Sequence, residues 1–402
     1  MEISKITYNS DRWLLFSFIT IILVICLLPL WVSLLLLAIA VFFVTSPHRI
    51  FLSAFLILLS AFFNAGVDIT GDLVTYSSIF ENIDKTTFTQ EFAAEPLLLF
   101  FYNSCKQLGL DFKSALFIQS FLMNSVLMYA LCVYFGTKAL KIFPAIILYP
   151  QFIQQGLFLS RQSLSTLLFI ALVVQGTSHK KAYFKSLTFG ILALLSHAAA
   201  ILNIGLYLVS RKIKGLMRWY WVLPIVLAAL LLPLNESFIT QHLAALTNIS
   251  GSLDRKIGFY MNDGSEEATL GVFSLLMLPL HATFLLISTV LIKSKNTNNK
   301  IDSFSIIFII LYTAMLFLRN YSLLPTRLGM PIIIFSSLFF FNVTTLYSTL
   351  IKRVKLYETA FFIFICITFV RFLYTNDYGD YAITILGKES LLMSPINILF
   401  NK

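Results

Sequence analysis

The chain has 402 residues, 58% of them apolar and 12% charged, with a mean hydropathy of +0.86 and a formal net charge of +10. Soluble domains carry about 25% charged residues, so these values exclude a soluble fold and specify a polytopic membrane protein. Forty Phe and seventeen Tyr suit lipid-facing and interfacial surfaces, because a soluble core has no room for so much aromatic area.

Windows of about 19 residues, punctuated by Pro, Gly and charge, predict an all-α chain of about thirteen transmembrane helices in one domain spanning residues 1–402. They fall at 13–28, 30–45, 49–65, 114–136, 142–158, 163–177, 183–196, 198–210, 219–234, 269–292, 303–318, 328–350 and 356–373. Lys5 and Arg12 lead the first run, which lacks a small-residue cleavage site and reads as an uncleaved helix. Pro29 divides residues 13–44 into a hairpin, and Ser196 with His197 divides 183–210. Cys26, Cys132 and Cys366 lie in apolar runs and Cys105 stands alone, so neither a disulfide framework nor a metal-ligand spacing is present.

Lys and Arg accumulate in cytoplasmic loops. With the amino terminus inside, the cytoplasmic segments hold 18 of the 29 basic residues and 4 of the 19 acids, so the net charge divides into +14 inside and −4 outside. Three segments are then extracytoplasmic: 66–113, 235–269 and 376–402. The first contains a helix signal of its own, with Glu95 and Pro96 opening it, the run Leu97 to Tyr102, and Gly109 as a stop. That helix is too short and polar to span and is expected along the interface. No internal repeat is visible.

On this topology Arg161, Arg319 and Arg327 all reach the outer face, each at a helix end, and Arg161 has no acidic residue near it in sequence. Ser160 is the expected N-cap of a helix starting at Gln162, whose backbone donors would add to the guanidinium. Arginine suits a diphosphate because its planar donors grip two oxygens and stay charged when partly desolvated. The competing reading is that each Arg snorkels or pairs with a lipid headgroup. His197, at the tip of the 183–210 hairpin, is placed to take a proton from a sugar hydroxyl or bind a phosphate oxygen, or else to pack at a helix break. His281 reads as a buried packing residue, and His242 falls in a loop.

Asp72, Tyr76 and Phe80 recur every four residues and so share a helical face. A carboxylate beside an aromatic ring can hold a sugar, the ring covering its C–H face, although an interfacial cap and aromatic belt would look the same. Glu266 and Glu267 read as a solvated loop, and Glu95 equally as a helix-start acid.

The order of these features resembles the EpsG-like group of Wzy-type polysaccharide polymerases. The likeness is carried by Gly71, Asp72, Tyr76 and Phe80, by Glu95, and by Arg161 with Gln162. To these are added His197 before small residues, Tyr260 after Arg255 and Lys256, and Arg327 before a late helix, together covering about residues 60–350. The resemblance implies a GT-C-like helical fold acting on undecaprenyl-diphosphate-linked glycans at the outer face of the bacterial cytoplasmic membrane. It also leaves room for a chain-length regulator protein as a partner. Paired arginine motifs with a glycine eleven positions on, known in some such polymerases, are not matched, since Gly329 lies ten after Arg319 and Arg161 has no glycine before Gly176.

The resulting expectation is a repeat-unit polymerase for O-antigen, capsule or exopolysaccharide. Arg161 and Arg327 would grip the donor diphosphate with Arg319 assisting, and His197 would serve as base or phosphate ligand. Asp72, Tyr76, Glu95, Gln162 and Tyr260 would position the substrate. No metal, cofactor or nucleic acid is expected. A ligase transferring finished glycan would need the same arginines, and a flippase would place charge in mid-membrane. A membrane acyltransferase using His197 or His281 is a further alternative.

Overall fold

A computed structural model describes residues 26–44, 49–69, 72–83, 96–158, 160–178, 183–197, 199–213, 222–232, 303–318, 323–346 and 353–374, with isolated positions at 281–287, 348, 351 and 394–395. The expected helices at 13–28 and 269–292, and the outer segments 235–269 and 376–402, lie almost wholly outside these residues. Among the described residues every regular element is helical. The chain is an all-α integral membrane protein. By length and composition, two stretches suffice to cross a membrane, Phe112–Ile147 and Val354–Leu373, and a third does if one sharply bent helix pair counts as a single span.

The first helices form the near wall. Helix continuity breaks at Leu28 and Pro29, where Pro29 takes φ −51° and ψ 141°. α1 (Leu30–Phe43) then restarts, with Ser33 Oγ donating back to the Leu28 carbonyl at 3.2 Å. α2 (Arg49–Ala65) returns beside it, and Arg49 donates to the Phe42 carbonyl at 3.1 Å, satisfying one of the orphan acceptors at the end of α1. Two short helices follow, α3 (Asp72–Glu81) and α4 (Pro96–Gln107). α4 ends at Gly109, whose φ of +74° suits glycine, with Leu110 N donating to the Cys105 carbonyl.

Asp111 caps α5 (Phe112–Phe135) by accepting from Ser114 N at 2.9 Å. α2 and α5 are antiparallel and joined by two reciprocal amide-to-hydroxyl bonds, Asn64 to Ser120 at 3.2 Å and Asn124 to Ser60 at 3.1 Å. Hydrocarbon offers no hydrophobic drive for helix association, so such bonds and close packing hold the seam.

After a 3-10 turn at Gly136–Lys138 come α6 (Ala139–Ile147) and α7 (Pro150–Phe158). Sequence reading expected one helix over 142–158. The break at Leu148 and Tyr149 arises because Pro150 cannot donate and disfavours helical geometry in the residue before it. Beyond Lys141 α6 is apolar and enclosed, with Ile142, Phe143, Ala145, Ile146 and Ile147 at most 1% exposed. It packs on α1, α2, α5 and two later helices, α13 (Leu323–Leu346) and α14 (Val354–Tyr374).

α8 (Ser160–Ser178) leaves α7 at 119° and pairs most extensively with α9 (Tyr183–Ser196). α10 (Ala200–Ile213), α11 (Val222–Leu231) and α12 (Ser303–Phe317) complete the far wall. The two ends of the bundle differ. At one, Lys141 pairs with Glu358 and lies 4.8 Å from the Phe42 ring, while Lys138 donates to Thr345 at 3.2 Å. This is the lysine end, and the start of α8 marks the opposite, Arg161 end.

Candidate active site

The bend between α7 and α8 is built from hydroxyls. Ser160 Oγ donates to the Leu157 carbonyl at 2.9 Å and to the Gly156 carbonyl at 3.3 Å, and Ser163 Oγ donates to the Gln155 carbonyl at 2.6 Å. These are terminal carbonyls of α7, which lack partners within their own helix. Ser160 is therefore not the acceptor cap expected from sequence. It is the first residue of the helix and a donor to the carbonyls three and four residues back, the ordinary local reach of a serine hydroxyl. The result is a rigid corner, with Ser160 and Ser163 fully buried, from which Arg161 and Gln162 project. Gln162 is 8% exposed and Arg161 half-buried.

Three neighbours gather at this corner. Tyr76, on the buried face of α3, is 6% exposed, and α3 packs on α4, α5 and α7. Tyr102 of α4 is fully buried and donates to Gln119 Oε1 of α5 at 3.2 Å. Burial pushes the Tyr102 phenol well above its ordinary range; Tyr76 and Cys105 push the same way, and the Arg161 guanidinium pulls it back. Tyr76 and Arg161 thus each lie within electrostatic reach of Tyr102. Phe80 packs edge-on to Tyr102 at 5.7 Å and against Phe112 at 5.8 Å, which makes it the aromatic floor of the group. Asp72 stands half-buried in the first turn of α3.

His197 reaches the same level through helix register. α8 and α9 form a hairpin, and Ser165 Oγ donates to the Ala193 carbonyl at 3.0 Å. One turn before Ser165 is Arg161, and one turn after Ala193 is His197, whose N–H still donates to the Ala193 carbonyl at 3.1 Å. Beneath them Leu168, Ala193 and Ala200 form a small core with Leu97, Val126 and Leu164, fastening α4, α5 and α8–α10 together.

Arg327 is on α13 and its side chain lies outside the described residues. Its backbone can be placed. Phe169 and Phe335 meet at 6.0 Å, and Lys138 bonds Thr345 near the end of α13, so α8 and α13 run in the same sense. Arg161 and Arg327 each precede their phenylalanine by eight residues, about 12 Å of helix. Glu95, Arg319 and Tyr260 lie outside the described residues.

Tyr102 and Gln119 were not singled out from sequence. Gln119, a polar residue inside a long apolar helix, was the signal available for them. His281 hydrogen-bonds through Nδ1 to Tyr312 OH at 2.9 Å, a packing arrangement of the kind expected for it. Among the described residues no three His, Cys, Asp or Glu side chains gather as a metal site. The arrangement offers a cation, phenols and an imidazole around the start of one helix, a set suited to an anion carrying hydroxyl groups. The EpsG family profile matches residues 48–384. No curated protein and no solved structure matches the chain.

Proposed function

The chain belongs to the EpsG family, and from that premise we propose that it joins undecaprenyl-diphosphate-linked oligosaccharide repeat units into a bacterial polysaccharide. In this reading the fold is GT-C-like with about thirteen spans, and the Arg161 end faces away from the cytoplasm across the inner membrane. The lysine end, holding Arg49, Lys138 and Lys141, carries the positive charge expected of a cytoplasmic face. A chain-length regulator protein is a fitting partner.

The observation that carries the proposal is the shared level of Arg161 and His197 on the α8–α9 hairpin, beside Tyr76 and Tyr102. In the reaction an acceptor hydroxyl oxygen bonds to the anomeric carbon of the donor glycan, and the bond from that carbon to the diphosphate oxygen breaks. Arg161, with Arg327 and Arg319, stabilises the charge left on the diphosphate, a role that fixed arginines fill without a metal. His197 receives the hydroxyl proton or holds a phosphate oxygen. Asp72, Tyr76, Glu95, Gln162 and Tyr260 hold the sugars, ring faces against aromatics and hydroxyls against amides and carboxylates.

The test is purified protein supplied with a lipid-linked repeat unit, its products resolved by length. The expected product is a ladder, abolished in Arg161→Ala while the protein stays folded in the membrane. Normal chain lengths in that variant overturn the assignment. A single transfer to another lipid or protein, with no ladder, would make the protein a ligase.

A further inference from the structure

Glycine inside a helix weakens it relative to alanine, so a helical glycine normally answers a local need. Gly176 makes room for the Tyr207 phenol and Gly190 for a Leu172 methyl, while Gly109 and Gly136 take positive φ at helix ends. Gly156, inside α7, does neither. Its φ is not positive, and among the described residues no atom lies within 4 Å of where a Cβ would stand. The helix is weakened there for the sake of a space that nothing in the chain fills.

That space is internal. α7 packs on α3, α6, α8, α13 and α14, and from Ile142 to Gln175, among the described residues, only Gln154, Gly156, Arg161 and Leu164 are not buried. With α7 wrapped by these helices, the accessibility at Gly156 is an opening within the bundle. It also adjoins the corner: the Gly156 carbonyl accepts from Ser160 Oγ at 3.3 Å, and Arg161 is the next residue. α3, the helix of Asp72 and Tyr76, rests on α7 as well. Gly205 of α10 offers a contrast. It too has no atom within 4 Å of a Cβ position, but it stands exposed among Ile201, Leu202, Leu208 and Val209 on the outer flank.

We propose that Gly156 is a specificity-determining position, the bare backbone against which the pyranose ring next to the diphosphate lies. The inference rests on the lipid-linked glycan of the proposed function and adds a contact to that same site. A sugar bonded directly to a diphosphate gripped by Arg161 stays within a few ångströms of the corner, and Gly156 is the unfilled position there. The C–H face of a ring approaches a glycine backbone more closely than any side chain would allow.

The test uses full-length protein in nanodiscs, with Gly156→Cys or Gly205→Cys treated with N-ethylmaleimide and the adduct located by mass spectrometry. Gly156→Cys should react, and undecaprenyl diphosphate carrying the repeat unit, at about ten times its dissociation constant, should slow the reaction about tenfold. Sugar-free undecaprenyl diphosphate at the same concentration should leave the rate unchanged, and neither lipid should alter labelling of Gly205→Cys. In parallel, Gly156→Ala should keep or raise the melting temperature and lower kcat/KM by about tenfold or more, the effect of one methylene-sized group in a tight pocket. Gly205→Ala should leave turnover unchanged. An unreactive Gly156→Cys, equal protection by the sugar-free lipid, or full activity in Gly156→Ala overturns the proposal. So does a Gly156→Ala that melts below wild type, since the glycine then serves packing. Protection without any ladder from the wild-type protein loses only the polymerase assignment, and a ladder without protection loses only the sugar seat.

Discussion

Tyr102 and Gln119 are bonded at 3.2 Å where α4 meets α5, and this bond places a fully buried phenol beside Tyr76 and the corner that carries Arg161. Tyr102→Phe removes the donor and leaves the Gln119 carbonyl without it. The expected cost is about 1 kcal/mol of stability. Because the folded-state pKa of Tyr102 is raised, its contribution is fully present below the ordinary tyrosine value of about 10 and is lost as pH rises beyond it. Thermal melts in detergent should therefore fall more steeply above that pH for the wild type than for Tyr102→Phe.

The two reciprocal bonds between α2 and α5 give a second prediction. Asn124→Leu and Ser60→Ala each break the same contact, so a double-mutant cycle on unfolding should return a coupling of about 0.6 kcal/mol, the mean for interhelical bonds in a membrane bundle. Full additivity would mean the contact holds nothing.

The Lys141–Glu358 pair is partly accessible, at 23% and 11% side-chain exposure, and Thr344 also donates to Glu358 at 3.2 Å. Removing one partner of a buried pair costs about 3–5 kcal/mol. Solvent screening at these exposures lowers the expectation for Glu358→Ala to about 2 kcal/mol. Lys141→Met combined with Glu358→Leu should lie closer to wild type than Glu358→Ala does, because no lone charge remains. A double variant worse than the single one would disprove this account.

Gly176 on α8 is where Tyr207 of α10 presses closest; a Cβ there would collide with the phenol oxygen. Gly176→Ala should cost about 1–3 kcal/mol through overpacking, and Tyr207→Phe should restore part of it. Equal stability of Gly176→Ala and wild type would show that Tyr207 swings away freely.

Local signals were legible where one residue decides the backbone: Pro29 breaks a helix and Gly109 ends one. Two local readings were wrong. The apolar stretch 142–149 carried the expected helix across the Tyr149–Pro150 break, and Ser160 looked like a cap because its sequence position fits one. A serine hydroxyl at a helix start also reaches the carbonyls three and four residues back, and Ser160 donates to those of Leu157 and Gly156. The common level of Arg161 and His197 was anticipated from loop position, but the Ser165–Ala193 register that produces it is tertiary. Tyr102 was hidden for the same reason, as its partners lie on three other elements.

The enclosed column formed by α6 constrains how the protein is made. Its neighbours α1 and α2 emerge from the ribosome before it, and α13 and α14 close to the end. Until those last helices arrive, one flank of the column faces lipid or an assembly chaperone, and the corner bearing Arg161 has no back support. Chains truncated before residue 323 should therefore be cleared by membrane proteases rather than persist as partly active fragments, which makes the carboxyl-terminal fifth a checkpoint on biogenesis.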